Sequence, residues 1–144
     1  MEQTERLQKA IEFNKSYKAF KVASRLTVSP LIVAGDVDQR DVGDLKGLYA
    51  DWAVGVAYGV GDLCVYEDVL YEVIQAHTSQ SDWTPVAAAS LFKRHHSYGD
   101  EFRHPTGSHD VYMLDEVVTY NGVLWRNTSD NNAYAPGVWG WVEV

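Results

Sequence analysis

Asp62 and Glu116 stand at matching places in two similar stretches, GDLCVYEDVLY and DEVVTYNGVLW. Two carboxylates can serve as general acid and general base only when they flank one substrate. One carboxylate per copy predicts a repeated turn-stabilising role instead. His95, His96, His104 and His109 lie close together, but their spacing matches no tight metal-ligand motif, and Cys64 is the chain's one cysteine. They read as part of a polar linker. Asp36, Asp38, Asp41 and Asp44 lack the D-x-D-x-D-G order and closing Glu of a calcium loop, and read as solvated. There is no nucleophile elbow, phosphate loop or HExxH helix. Cys64 falls in an apolar strand pattern and reads as a small buried hydrophobe. The sequence thus predicts no catalytic residue, no metal site and no cofactor.

The aromatic residues are more informative. Tyr58, Tyr66, Val69, Leu70 and Tyr71 recur in order as Tyr112, Tyr120, Val123, Leu124 and Trp125. Trp83-Thr-Pro85 is answered by Tyr134-Ala-Pro136, three residues closer. The chain carries two copies of one small aromatic β module, which points to binding rather than catalysis. The six repeated rings Tyr58, Tyr66, Tyr71, Tyr112, Tyr120 and Trp125 are expected in the cores. Trp83 and Tyr134 sit in polar, turn-like segments and are expected to be exposed. Of Trp139 and Trp141, one is expected to point in and the other out.

These residues must be positioned by an α+β chain: an N-terminal helix followed by two small tandem antiparallel β modules. The expected divisions are a helical segment and linker over 1–48, a first module over 49–97 and a second over 98–144. Apolar residues from Leu7 to Leu26 at spacings of three and four predict a helix over 4–26, with Thr4 as N-cap and Pro30 past its end. Pro30–Val33 reads as a short strand and 38–48 as a short helix. Asn121-Gly122 is a strong type I′ turn signal, and Glu67-Asp68 takes its place in the first copy. A two-residue loop sets Tyr66 opposite Val69, Val65 opposite Leu70 and Cys64 opposite Tyr71. In the second copy it sets Tyr120 opposite Val123, Thr119 opposite Leu124 and Val118 opposite Trp125. A lone hairpin is marginal in water, so residues 90–94 and 139–144 are expected to add a third strand to each. Residues 95–110 read as the link between modules.

A hydrophobic share of 46% is that of a globular protein, and the net charge of −8 disfavours nucleic acid and anionic membrane as partners. The N-terminal stretch has no apolar segment or small-residue cleavage site, which predicts no Sec signal peptide. No apolar run approaches the length that spans a bilayer. The helix is basic, unlike the rest of the chain, and its exposed aromatics predict a partner, either the β modules or a second copy of the chain.

The order Tyr58-Gly-Val-Gly61-Asp62, Tyr66, Tyr71, Trp83-Thr-Pro85, Phe92 resembles the carbohydrate-binding modules of bacterial chitinases, families 5 and 12. Tyr112-Met-Leu-Asp115-Glu116, Tyr120-Asn121-Gly122, Trp125, Tyr134-Ala-Pro136, Trp141 repeats it. The resemblance covers roughly residues 52–144. The phrases GDLCVYEDVLYEVIQAHTSQSDWTP and NNAYAPGVWGW also look like tandem modules in structural proteins of tailed bacteriophages and prophages. Chitin-binding members place a Trp pair just after the second hairpin strand. This chain has Ala76-His77 there in the first copy and Asn127-Thr128 in the second.

The resemblance implies a non-catalytic protein whose exposed rings stack on the C–H faces of sugars. The candidate ligand-binding residues are Trp83, Tyr134, Trp139 and Trp125, with hydrogen bonds from Asn131 and Asn132. It further implies a virion protein, made in the host cytoplasm, that adheres to cell-surface polysaccharide or another glycan and meets other virion proteins, with a homo-oligomer formed through the N-terminal helix. Two other readings remain open. The modules bind virion proteins rather than sugar, or the chain is an accessory binding subunit of a chitinase or lytic enzyme.

Overall fold

The computed structural model describes residues 2–144. Its first helix, α1, spans Glu2–Ala34, so Thr4 lies inside the first turns and Pro30 inside the helix. The short strand expected at 30–33 is instead the last turn of α1. An interior proline costs about 3 kcal/mol through a lost hydrogen bond and a steric clash. Burial offsets this cost. Ile32 is fully buried against Val42 and Leu70, with Val28 packed on the same cluster. A buried aliphatic side chain contributes about 1.5–3 kcal/mol. Arg25 Nη1 also donates to the Leu48 carbonyl at 2.8 Å, and Ser29 and Tyr49 share a 2.7 Å hydrogen bond. The stop signal is Gly35, at φ 77°. Its amide donates to the Ile32 carbonyl and that of Asp36 to the Leu31 carbonyl, which closes the helix end. Further back, every residue from Glu2 to Phe20 is exposed.

Helix α2, Gln39–Leu45, starts on Asp38, whose carboxylate accepts from the Arg40 amide. It runs on into a tighter turn over Lys46–Leu48. The first sheet contains β2 (Leu63–Tyr66), β3 (Val69–Val73) and β5 (Phe92–His95), in that order. A ribbon of β1 (Ala57–Tyr58) and β4 (His77–Thr78) lies beside it in the chain. The second sheet is ordered β6 (Asp100–Glu101), β7 (Val117–Tyr120), β8 (Val123–Asn127), β9 (Trp141–Glu143).

Both hairpins have the register the two-residue turns predict: Tyr66–Val69, Val65–Leu70, Cys64–Tyr71, and Tyr120–Val123, Thr119–Leu124, Val118–Trp125. All four turn residues have positive φ, from 48° at Glu67 to 76° at Gly122. The third strands are present as β5 and β9. Strand β6, which pairs in parallel with β7, is not foreseen from the residues. Its counterpart in the first copy is a parallel bridge from Asp51 to Val65. The Trp52 amide donates to the Val65 carbonyl and the Phe102 amide to the Thr119 carbonyl, so Trp52 and Phe102 are equivalent. Each ring meets the matching tyrosine edge-on, Tyr66 at 5.8 Å and Tyr120 at 5.5 Å.

Residues 95–110 are not a loose link. His96, Ser97, Phe102 and Asp110 are buried. The Gln39 side chain acts there as a strand segment would: its Nε2 donates to the Ser97 and Val117 carbonyls, and its Oε1 accepts from the Val117 amide at 2.7 Å. Helix α2 is thereby fastened to β7, while Val42 on the same helix packs on Leu70 of the first sheet.

The two sheets differ on their second faces. Leu70 is fully buried beneath α1 and α2, whereas Leu124, its counterpart, is 37% exposed. Leu70→Ala should therefore cost about 3 kcal/mol of unfolding free energy, and Leu124→Ala less than about 1 kcal/mol. Urea titrations of both variants check this, and equal losses would count against the helix-covered face.

Candidate functional site

The β modules bury most of their rings. Tyr71 and Tyr112 are buried, while Tyr58, Tyr66, Tyr120 and Trp125 pack against the two aromatic cores. Trp125 therefore forms part of a core wall, and its indole nitrogen has no hydrogen-bond partner. Four loop rings stay outside. Trp83 is 38% exposed, Tyr134 57% and Trp139 56%, while Tyr98, at 36%, has the Arg40 guanidinium over its ring. Trp141 is buried and Trp139 exposed, one in and one out as expected, but strand alternation is not the cause, since residues two apart share a face. Trp139 precedes β9, and Gly140, at φ 77°, turns the chain between them.

The loops share one device. Trp83 and Tyr134 each stand two residues before a buried proline, Pro85 and Pro136, so the proline anchors the backbone and the ring projects, and Trp139 follows three residues after Pro136. Trp83 has only an imidazole neighbour, His77, at 6.5 Å. His77 in turn lies against Tyr58 and Phe92. In the second module Tyr134 and Trp139 are neighbours, with centroids 5.7 Å apart and ring planes at 66°.

The second pair is held by two asparagines. Asn132 is buried, although it was a candidate for the surface. Its Oδ1 accepts from the Tyr134 amide at 2.8 Å, and its Nδ2 donates to Asn127 Oδ1 and towards the Trp139 and Gly140 carbonyls. Asn127 completes the network, donating to the carbonyls of Met113 and Ser129. The Trp141 indole donates to the Tyr134 carbonyl at 2.8 Å. Gly140, at φ 77°, lies so close that an added Cβ would sit 2.5 Å from Asn132 Nδ2. Asn131 is exposed, at φ 53°. Sequence reasoning overlooked Asn127. The available signal was a polar residue at the position that holds a core valine, Val73, in the first copy.

The ionisable candidates have structural partners. Asp62 accepts from the Gly59 amide at 2.8 Å, a turn-stabilising bond. Glu116 does not repeat this: its carboxylate meets His96 Nδ1 at 2.6 Å. His96 also stacks on Tyr112 at 4.2 Å. His95 pairs with Glu72 at 2.9 Å, His109 donates to the Ala89 carbonyl, and His104 lies edge-on to Phe102. Among the described residues no three His, Cys, Asp or Glu side chains are grouped to hold a metal ion. Burial pushes the Cys64 thiol up to about 12, with Asp62 adding to the effect.

Residues 51–93 match the model of carbohydrate-binding module family 5/12. The matched stretch covers β1 to β4, the Trp83 loop and the first two residues of β5. Streptogrisin-C of Streptomyces griseus is 44% identical over 43 residues, 30% of this chain and 9% of that protein. Chitinase Chi52 of Paenibacillus xylanexedens is 46% identical over 44 residues, and Chitinase D of Niallia circulans 43% over 44 residues. Each match covers 31% of this chain and 8% of the relative. This chain thus spans less than a tenth of the length of these relatives. The second module reproduces the backbone bonds of the matched one. Val73 donates to the Asp62 carbonyl and Asn127 to the Glu116 carbonyl, while Gly61 and Asp115, both at positive φ, donate back to Val73 and Asn127. His77 is half-buried, and Asn127, the equivalent of Val73, is fully buried.

Two outcomes test this account. Asn132→Ala leaves the Tyr134 amide without a partner and removes one of the two donors to Asn127 Oδ1, the other being the Ser129 amide, and should cost about 2 kcal/mol, with the Tyr134 and Trp139 ring resonances losing their mutual shift in NMR. Unchanged ring resonances would show that the asparagines do not hold the pair. Cys64 should resist iodoacetamide at pH 8 in the native state and react once the protein is unfolded in urea. Native alkylation within minutes, read by mass spectrometry, would contradict a buried, protonated thiol.

Proposed function

We propose that this chain is a non-catalytic glycan-binding protein that displays two modules from a helical attachment segment. The observation that carries the reading is the exposure of Trp83, Tyr134 and Trp139 on proline-anchored loops, on a backbone whose first copy matches a carbohydrate-binding module. A flat aromatic ring removes the C–H face of a sugar from water at little entropic cost, and two of the relatives are named chitinases.

The setting we propose is the virion of a tailed phage or prophage, where the chain serves as a tail, fibre or head-decoration protein. Its likeness to tandem modules of such particles supports this setting. So does α1, a 33-residue helix whose exposed Phe13, Tyr17 and Phe20 suit attachment to virion proteins or to further copies of the chain. Individual sites of this size are weak, and many copies on one particle would supply avidity. The same exposed helix residues favour one second reading, a protein that joins virion components without binding sugar.

A glycan array and a cell-wall pull-down with the full chain separate the two. The first reading expects retention on at least one glycan and its loss in the Trp83→Ala/Tyr134→Ala double variant. Retention that the double variant leaves intact, or none on any glycan beside firm capture by a purified tail or capsid protein, would refute it.

A further inference from the structure

The two modules present their rings in different geometries, and the difference bears on the physical form of the ligand. Two aromatic rings can both lie against one flat surface only when they are close to coplanar. Tyr134 and Trp139 meet at 66° with 5.7 Å between centroids. A plane seated on one ring is therefore steeply inclined to the other. They form a corner, whose two walls contact different sides of one narrow object.

The corner is built rather than incidental. Asn132 binds the backbone of both wall residues, at the Tyr134 amide and the Trp139 carbonyl. Trp141 fixes the Tyr134 carbonyl from the core side. The Val138 amide donates to the Ala135 carbonyl, which tightens the turn between the walls. Gly140 leaves no room for a side chain where Asn132 passes. A site held in its bound shape loses less conformational entropy on binding. The first module has no second exposed wall. Trp83 projects alone there, and its nearest ring, His77, is half-buried.

We infer that the Tyr134–Trp139 corner of the second module takes a single, solvated glycan chain, while the lone Trp83 of the first module suits the flat face of packed chains. This inference rests on the glycan-binding reading above and names the ligand form for each module. One sugar residue in the corner stacks its C–H face on one ring and turns an edge to the other. The Tyr134 hydroxyl is available at the rim as donor or acceptor to a sugar hydroxyl.

The test uses the full chain with two probes: soluble N-acetylglucosamine hexasaccharide, followed by calorimetry, and crystalline chitin powder, followed by depletion from solution. Trp139→Ala and Tyr134→Ala should each weaken hexasaccharide binding about tenfold or more and leave adsorption to the powder within about twofold of the parent. Trp83→Ala should do the reverse. Tyr134→Phe keeps both walls and should retain most hexasaccharide affinity, which separates loss of a wall from loss of fold. Adsorption to powder that depends on Trp139 as strongly as hexasaccharide binding does would overturn the inference and leave glycan binding intact. Powder binding with no hexasaccharide binding would do the same. Binding to neither probe would overturn the corner's assignment to this chain chemistry, and the glycan array then decides separately whether the broader reading stands.

Discussion

The structure depends first on two pairs of residues held in the left-handed region of backbone space. Glu67-Asp68 and Asn121-Gly122 make the two-residue turns that fix hairpin register. Because strand side chains alternate, a slip of one residue would exchange the two faces of a sheet. Cys64, Tyr66, Val69 and Tyr71 would then lie where Leu63, Val65 and Leu70 now meet the helices. The register decides which rings become core and which loops are left to carry exposed ones. Three of these four turn positions are non-glycine residues, so their strain must be offset by the packing on either side.

On this shared frame the two copies are filled differently. The first sheet is covered on both sides, by an aromatic core on one and by Ile32 and Val42 on the other. The second is open on its Leu124 side and has a polar pair, Asn127 and Asn132, at one end of its core. A buried amide is tolerable only with its bonds satisfied. That requirement is what makes the second loop rigid: the asparagines find their partners in the loop's own backbone. The first loop needs no such latch because Val73 fills the position with hydrocarbon.

Much of this was legible in the residues. The repeat, the hairpin register, the third strands and the exposed rings of Trp83 and Tyr134 follow from turn chemistry, period and the neighbouring prolines, whereas which of Trp139 and Trp141 faces outward was left open. What was not legible depended on contacts distant in the chain. Pro30 marks a helix end by local rules, yet the burial of Ile32 against Leu70 carries α1 past it. Strand β6 is two residues long and takes its place only from its bonds to β7. Asn132 reads as a polar turn residue, and only the position of Asn127 shows that it faces inward. Glu116 resembles a repeat of Asp62 until His96, from another strand's end, takes its carboxylate.

The Gln39 clamp has a mechanical meaning. A pull on the exposed length of α1 enters the body at Ile32 and Ser29, passes through α2, and reaches the second sheet at three bonds on Ser97 and Val117. The loop between Asn132 and Gly140 is held by a separate set of bonds, those of Asn127, Asn132 and Trp141. Load entering through that helix would thus meet the joint between helices and sheets, not the latch that shapes the loop.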